Sequence, residues 1–109
     1  MLYEMRIYTV QPGKVPELND LFENEGIPII KDHSKLVGWW STEVGPLNQV
    51  VHIWAYNDAG HREKVRAAQN ADPRLKGYRG KVLALLVNQT NMLLTPSNFS
   101  PLQYPANGR

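Results

Sequence analysis

The stretch Asn48-Gln49-Val50-Val51-His52-Ile53-Trp54-Ala55-Tyr56 alternates as a half-buried strand does, but with two unlike faces. One face is Val51, Ile53 and Ala55, plainly aliphatic. The other is Val50, His52, Trp54 and Tyr56, where three rings each carry a polar tip. Such rings bring large area for burial yet need hydrogen-bond partners, so they suit a cavity wall better than an aliphatic core. The pattern predicts a strand with its aliphatic face under helices and its ring face lining a cavity.

Just before it, Leu36–Val44 reads as another strand, and the short link Gly45-Pro46-Leu47 predicts a hairpin. A two-residue Pro46-Leu47 loop pairs Gly45 with Asn48, sets Ser41 opposite His52 and Glu43 opposite Val50. That register turns Trp39, Ser41 and Glu43 to the ring side; a slip of one residue reverses the set. At the N-terminus, Leu2–Val10 alternates Met5 and Ile7 against Glu4, Arg6 and Tyr8. Gln11-Pro12-Gly13 then turns into a helix from about Lys14. Its stripe is Val15, Leu18, Leu21, Phe22 and Ile29, and Gly26 and Pro28 should weaken or kink it. Asp58 is placed to cap a second helix over 59–71. Its inward positions, Ala59, Val65, Ala68 and Ala71, are small and predict close approach to the sheet. Asp72-Pro73 breaks it, residues 74–80 read as a further short helical turn, and Val82–Leu94 reads as the last strand. Phe99 and Leu102 are expected to dock the segment after Thr95-Pro96. Residues 104–109 are expected to form a flexible tail, leaving one domain over 1–103.

The order β-α-β-β-α-β is the ferredoxin-like pattern, an α+β fold whose antiparallel sheet runs 4-1-3-2. Helices over Met5, Ile7, Val51, Ile53 and Ala55 leave Tyr8, Trp54 and Tyr56 on the open side, beside Glu4, Arg6 and His52. A patch of that size calls for a cover, and a second copy of the same sheet supplies one. The expectation is a homodimer that closes a dimeric α/β barrel, with assembly beyond the dimer left open.

Composition narrows the rest. A chain of 109 residues with 42% hydrophobic and 20% charged residues fits a single globular domain. Cysteine is absent, which excludes disulfides, thiolate metal sites and a thiol nucleophile. No signal peptide is apparent, and the run Val82–Val87 is too short to span a bilayer. The expected location is the cytoplasm or an organelle matrix. Residues 1–60 hold 4 Lys/Arg against 8 Asp/Glu, and residues 61–109 hold 8 against 2. Without an aromatic platform beside it, the basic half reads as a solvated helix face, so neither nucleic acid nor membrane is expected as a partner.

Three stretches resemble the NIPSNAP family of the dimeric α/β-barrel superfamily. They are Tyr3–Thr9 with Pro12-Gly13-Lys14, the long segment Lys35–Tyr56, and more weakly Ala71-Asp72-Pro73 with Phe99–Leu102. The resemblance implies the ferredoxin-like fold and dimerisation but brings no established reaction. The wider superfamily holds cofactor-free monooxygenases, haem-degrading enzymes, isomerases and cyclases, with pockets in the barrel or between sheet and helices.

The candidate site is therefore a semi-polar pocket in the barrel. Arg6 would fix an anionic or carbonyl oxygen, His52 would act as acid or base, and Glu43 or Glu4 would orient it. Tyr8, Trp54 and Tyr56 complete the ligand-binding set. No metal or cofactor is expected, because His33, His52 and His61 lack ligand spacing. The leading function is binding of an unknown small organic metabolite. One alternative is an interaction protein whose Arg6, Glu4 and Glu43 merely neutralise one another; another is a cofactor-free monooxygenase- or isomerase-like enzyme.

Overall fold

A computed structural model describes residues 1–103, so the expected tail at 104–109 lies outside the described residues. The elements are β1 (Leu2–Val10), α1 (Val15–Leu21), a π-helical turn (Phe22–Gly26), α2 (Ile27–Ile30), β2 (Lys35–Ser41) and β3 (Gln49–Tyr56). They continue as α3 (Ala59–Ala71), a 3₁₀ turn (Pro73–Leu75), α4 (Lys76–Leu85) and β4 (Leu86–Leu94). All strands pair antiparallel in the order β2-β3-β1-β4, the expected ferredoxin-like sheet.

Local chemistry explains the boundaries. Gly13, at φ 81°, supplies the left-handed turn that no β-branched residue would accept before α1. The Asp58 carboxylate accepts the His61 backbone N–H at 2.7 Å and caps α3 as expected. Gly26 sits where helix and helix nearly touch: a Cβ there would lie 2.7 Å from the hydroxyl oxygen of Tyr78 on α4. The helix bulges into its π turn at this contact instead of breaking.

The sheet turns its faces the opposite way from the expectation. Val50, His52, Trp54 and Tyr56 are all buried against helices. Val50 packs with Leu18, Val82 and Leu85, and Trp54 and Tyr56 pack with Phe22, Ile30 and Leu75. Glu4, Arg6 and Tyr8 share that side, so Met5, Ile7, Val51 and Ile53 are left half-buried on the open face, beside exposed Trp40 and Met92. The cause lies in the helices. No side chain of α3 is buried, and its small residues Ala59, Ala68 and Ala71 are exposed instead of pressed to the sheet. The gap this leaves must be filled from the sheet, and large rings reach across it where Val and Ile would not.

Two smaller departures follow from periods misread locally. Val82 and Leu85 belong to α4, on one stripe with Leu75 and Tyr78, so the last strand begins at Leu86; a short aliphatic run does not by itself distinguish helix from strand. The β2–β3 hairpin is longer than expected. Its loop covers 42–48, with Gly45 at φ 136° and Asn48 at φ 60°, and it closes where the Thr42 N–H donates to the Gln49 carbonyl at 3.1 Å. Trp39 consequently lies opposite His52 and Ser41 opposite Val50, while Glu43 sits exposed in the loop. No helix among the described residues is long and apolar enough to cross a membrane.

Candidate ligand-binding site

One row of side chains crosses the helix-facing side of the sheet: Trp39 on β2, His52 on β3, Arg6 on β1 and Asn91 on β4, each opposite the next. Above this row lies a cavity of about 260 Å³. Its floor includes Arg6, Tyr8, Trp39, His52, Trp54 and Tyr56, and its walls include Phe22, Arg66, Tyr78 and Arg79. The structure thus gathers five of the seven expected site residues at one cavity, but beneath the helices and not inside a barrel. Glu4 is buried next to it, and Glu43 is excluded from it.

His52 is the centre of the floor and is 2% exposed. It stacks on Trp39 at 4.4 Å, Trp39 stacks on Phe22 at 4.0 Å, and Tyr8 meets the imidazole edge-on at 4.6 Å. The Trp39 indole N–H donates to Asn19 Oδ1 at 2.8 Å, which holds this stack against α1. The Trp54 indole N–H donates to His52 Nδ1 at 2.7 Å. An indole nitrogen can only donate, so Nδ1 must present its lone pair and the neutral ring carries its proton on Nε2. Burial and the nearby Arg6 charge push the imidazole pKa down to about 3, against a weaker upward pull from Glu4. His52 is therefore neutral at pH 7, with Nε2–H buried and without a partner among the described residues. Neither ring nitrogen has a lone pair to spare, so the expected general-base role gives way to that of a hydrogen-bond donor. A tryptophan, and not a carboxylate, fixes its tautomer.

Glu4 has a different task. It is 0% exposed and binds Arg62 in bidentate fashion, Nε to Oε1 and Nη2 to Oε2, both at 3.0 Å. Oε2 also accepts from Arg6 Nη1 at 2.9 Å and from Asn91 Nδ2 at 2.8 Å. Burial alone would raise this carboxyl's pKa. The hydrogen bonds from Arg62 and Asn91, with the charges of Arg6 and Arg62, outweigh it and bring the value down to about 2. One carboxylate thus serves two guanidiniums and ties α3 to β1.

The sequence-derived set missed Arg62, Arg66, Arg79, Trp39 and Asn91. Arg62, Arg66 and Gln69 recur at helical spacing, which marks one face of α3, but a polar stripe on a helix ordinarily faces water. Arg79 closes the far end of α3, donating to the carbonyls of Gln69 at 2.7 Å and Asn70 at 3.4 Å. Ser34 anchors the same end by donating to Gln69 Oε1 at 2.8 Å. The roof of the cavity is thus fastened by these polar contacts together with the half-buried Val65, which packs on the core.

The NIPSNAP family model matches residues 3–101. Protein NipSnap homolog 3B of Homo sapiens is 34% identical over 103 residues, covering 94% of this chain and 42% of that protein. The chain spans 42% of the length of this protein and of the NipSnap homolog 3A proteins it also matches. A crystal structure of an uncharacterized NIPSNAP domain protein from Burkholderia xenovorans shares 39% identity, with a TM-score of 0.90 over 93% of this chain and 99% of that one. A cofactor-independent oxygenase of Streptomyces nogalater superposes with a TM-score of 0.63 at 16% identity, over 95% of this chain and 96% of that one. That second similarity is one of fold alone.

Proposed function

The chain belongs to the NIPSNAP family, and we propose that this member binds a small organic molecule in the cavity between its sheet and its helices. The observation that carries the reading is His52 Nε2–H: a buried donor in the lining of a cavity, with no acceptor among the described residues. A buried polar group left unmatched costs about 1–3 kcal/mol, so such groups mark places where something else binds. At about 260 Å³ the space lies just below the usual range of roughly 300–1,000 Å³ for ligand pockets, which suits a compact metabolite. If chemistry occurs there, His52 enters it by donating a hydrogen bond to an oxygen of the bound molecule.

A thermal-shift screen of neutral and charged metabolites tests this reading. A ligand at 100 times its Kd should stabilise the wild type by about 2.7 kcal/mol, and the gain should vanish in His52→Phe, which keeps a ring but loses the donor. Failure of every compound, or equal shifts in both proteins, would count against the cavity as a binding site.

We further propose that a second copy covers the open face. The central positions Met5, Ile7, Val51, Ile53, Trp40 and Met92 carry no charge, so an identical face neither repels nor strands a charged group against them. Sedimentation should then give a dimer for the wild type and a monomer for Trp40→Glu, with ligand binding in the cavity retained. A monomeric wild type at micromolar concentration refutes the pairing.

A further inference from the structure

The charges around the cavity are unbalanced, and the imbalance points to the kind of ligand. Arg6, Arg66 and Arg79 line it, and no carboxylate does. Arg79 is occupied with the carbonyls at the end of α3. The nearest anion, Glu4, is shared between Arg6 and Arg62, so the trio keeps one positive charge in excess. Arg6 donates one N–H to Glu4 and lies against Tyr8, which leaves part of its planar fork unspent, and Arg66 has no acceptor among the described residues. His52 adds a neutral donor directly across the β1–β3 ladder from Arg6. Side chains paired in that way have Cβ atoms about 5 Å apart, which sets the two donors side by side.

Resting on the reading that the cavity binds a small molecule, we infer that its ligand is a compact aromatic carboxylate, held by Arg6 and by the Nε2–H of His52. A guanidinium fork matches the two coplanar oxygens of a carboxylate, and a charge-assisted pair of that geometry is stronger than contacts to a neutral amide. The remainder of the lining, Tyr8, Phe22, Trp54 and Tyr78, offers ring surface for the body of the molecule. A neutral ligand would leave the trio's surplus positive charge without a counter-ion at the cavity.

The test compares 2-naphthoate with its neutral near-isostere 2-naphthamide, by calorimetric titration of the full chain at pH 7. The acid should bind at least about tenfold more tightly than the amide. Arg6→Gln should abolish that preference by weakening the acid far more than the amide; Glu4 keeps Arg62 and Asn91 in this variant, and circular dichroism checks its fold. Arg66→Gln, on the outer layer, should reduce the preference without disturbing the core. Equal affinity for acid and amide, or a preference that survives both substitutions, overturns the anionic ligand yet leaves the cavity as a binding site. Binding of neither probe, in a protein that takes up no compound of the wider screen, overturns both.

Discussion

Glu4→Ala is expected to lower the stability of this chain by roughly 3–5 kcal/mol, the range for removing one partner of a buried ion pair. The size follows from burial and from the number of donors left behind. The carboxylate is fully buried and receives four hydrogen bonds, three of them from two guanidiniums. Its loss strands Arg6 against the sheet and releases one of the tethers that hold α3, a helix whose apolar hold on the core is the half-buried Val65. Exposed pairs behave differently. Lys81–Glu25 and Lys14–Glu17 lie in solvent, and breaking either should cost less than about 1 kcal/mol. Urea denaturation of Glu4→Ala, Glu25→Ala and Glu17→Ala separates the cases through their midpoints. A Glu4→Ala loss no larger than that of Glu25→Ala contradicts the buried network.

Acid should act on the same sheet face through His52. Its folded pKa of about 3 lies below the ordinary value of 6.5, so between those limits the unfolded chain holds the extra proton. Stability then falls as pH falls, by about 1.4 kcal/mol per unit, beginning near pH 6.5. Glu4 joins later. Its pKa drops from 4.5 to about 2 on folding, so its contribution is intact above pH 4.5 and is lost progressively towards pH 2. The interval from pH 6.5 to 4.5 therefore isolates the imidazole. There the wild type should lose about 2–3 kcal/mol more than His52→Gln does, a difference that also cancels the other two histidines. Parallel curves for the two proteins across that interval would falsify the buried neutral ring.

Alternation and turn chemistry carried the fold a long way. The strand order, the Asp58 cap, the odd–even sets on β1 and β3, and the sharing of one side by Trp39 and His52 are all visible in the chain. What the chain does not show is which set turns towards the helices. Period two says that Val51 and His52 point apart, and nothing local says which of them meets Leu18 or Phe22. That choice depends on how much volume the helices bring, and α3, with alanines and arginines, brings little. Rings from the sheet make up the difference.

The candidate site moved as a unit for the same reason. Arg6, Tyr8, His52, Trp54 and Tyr56 stay together because strand register binds them, whichever layer covers them. Glu43 fell away because the hairpin loop takes up 42–48, with Gly45 and Asn48 at positive φ, where the pattern predicts a two-residue turn. Arg62 and Arg66 were hidden by their own plausibility as surface residues. The role of Arg62 appears only once Glu4 is known to be buried and in need of cations, and that of Arg66 only once the cavity is in view.

The most direct measurement is a long-range ¹H–¹⁵N correlation spectrum of the histidine rings, followed from pH 8 to pH 4. The sheet face described here predicts that His52 shows the Nε2–H tautomer throughout, coupled to a slowly exchanging Trp54 indole proton, with no protonation above pH 4. A His52 that titrates near 6.5, or that mixes its two tautomers, would place the ring in water and contradict its burial beneath the helices.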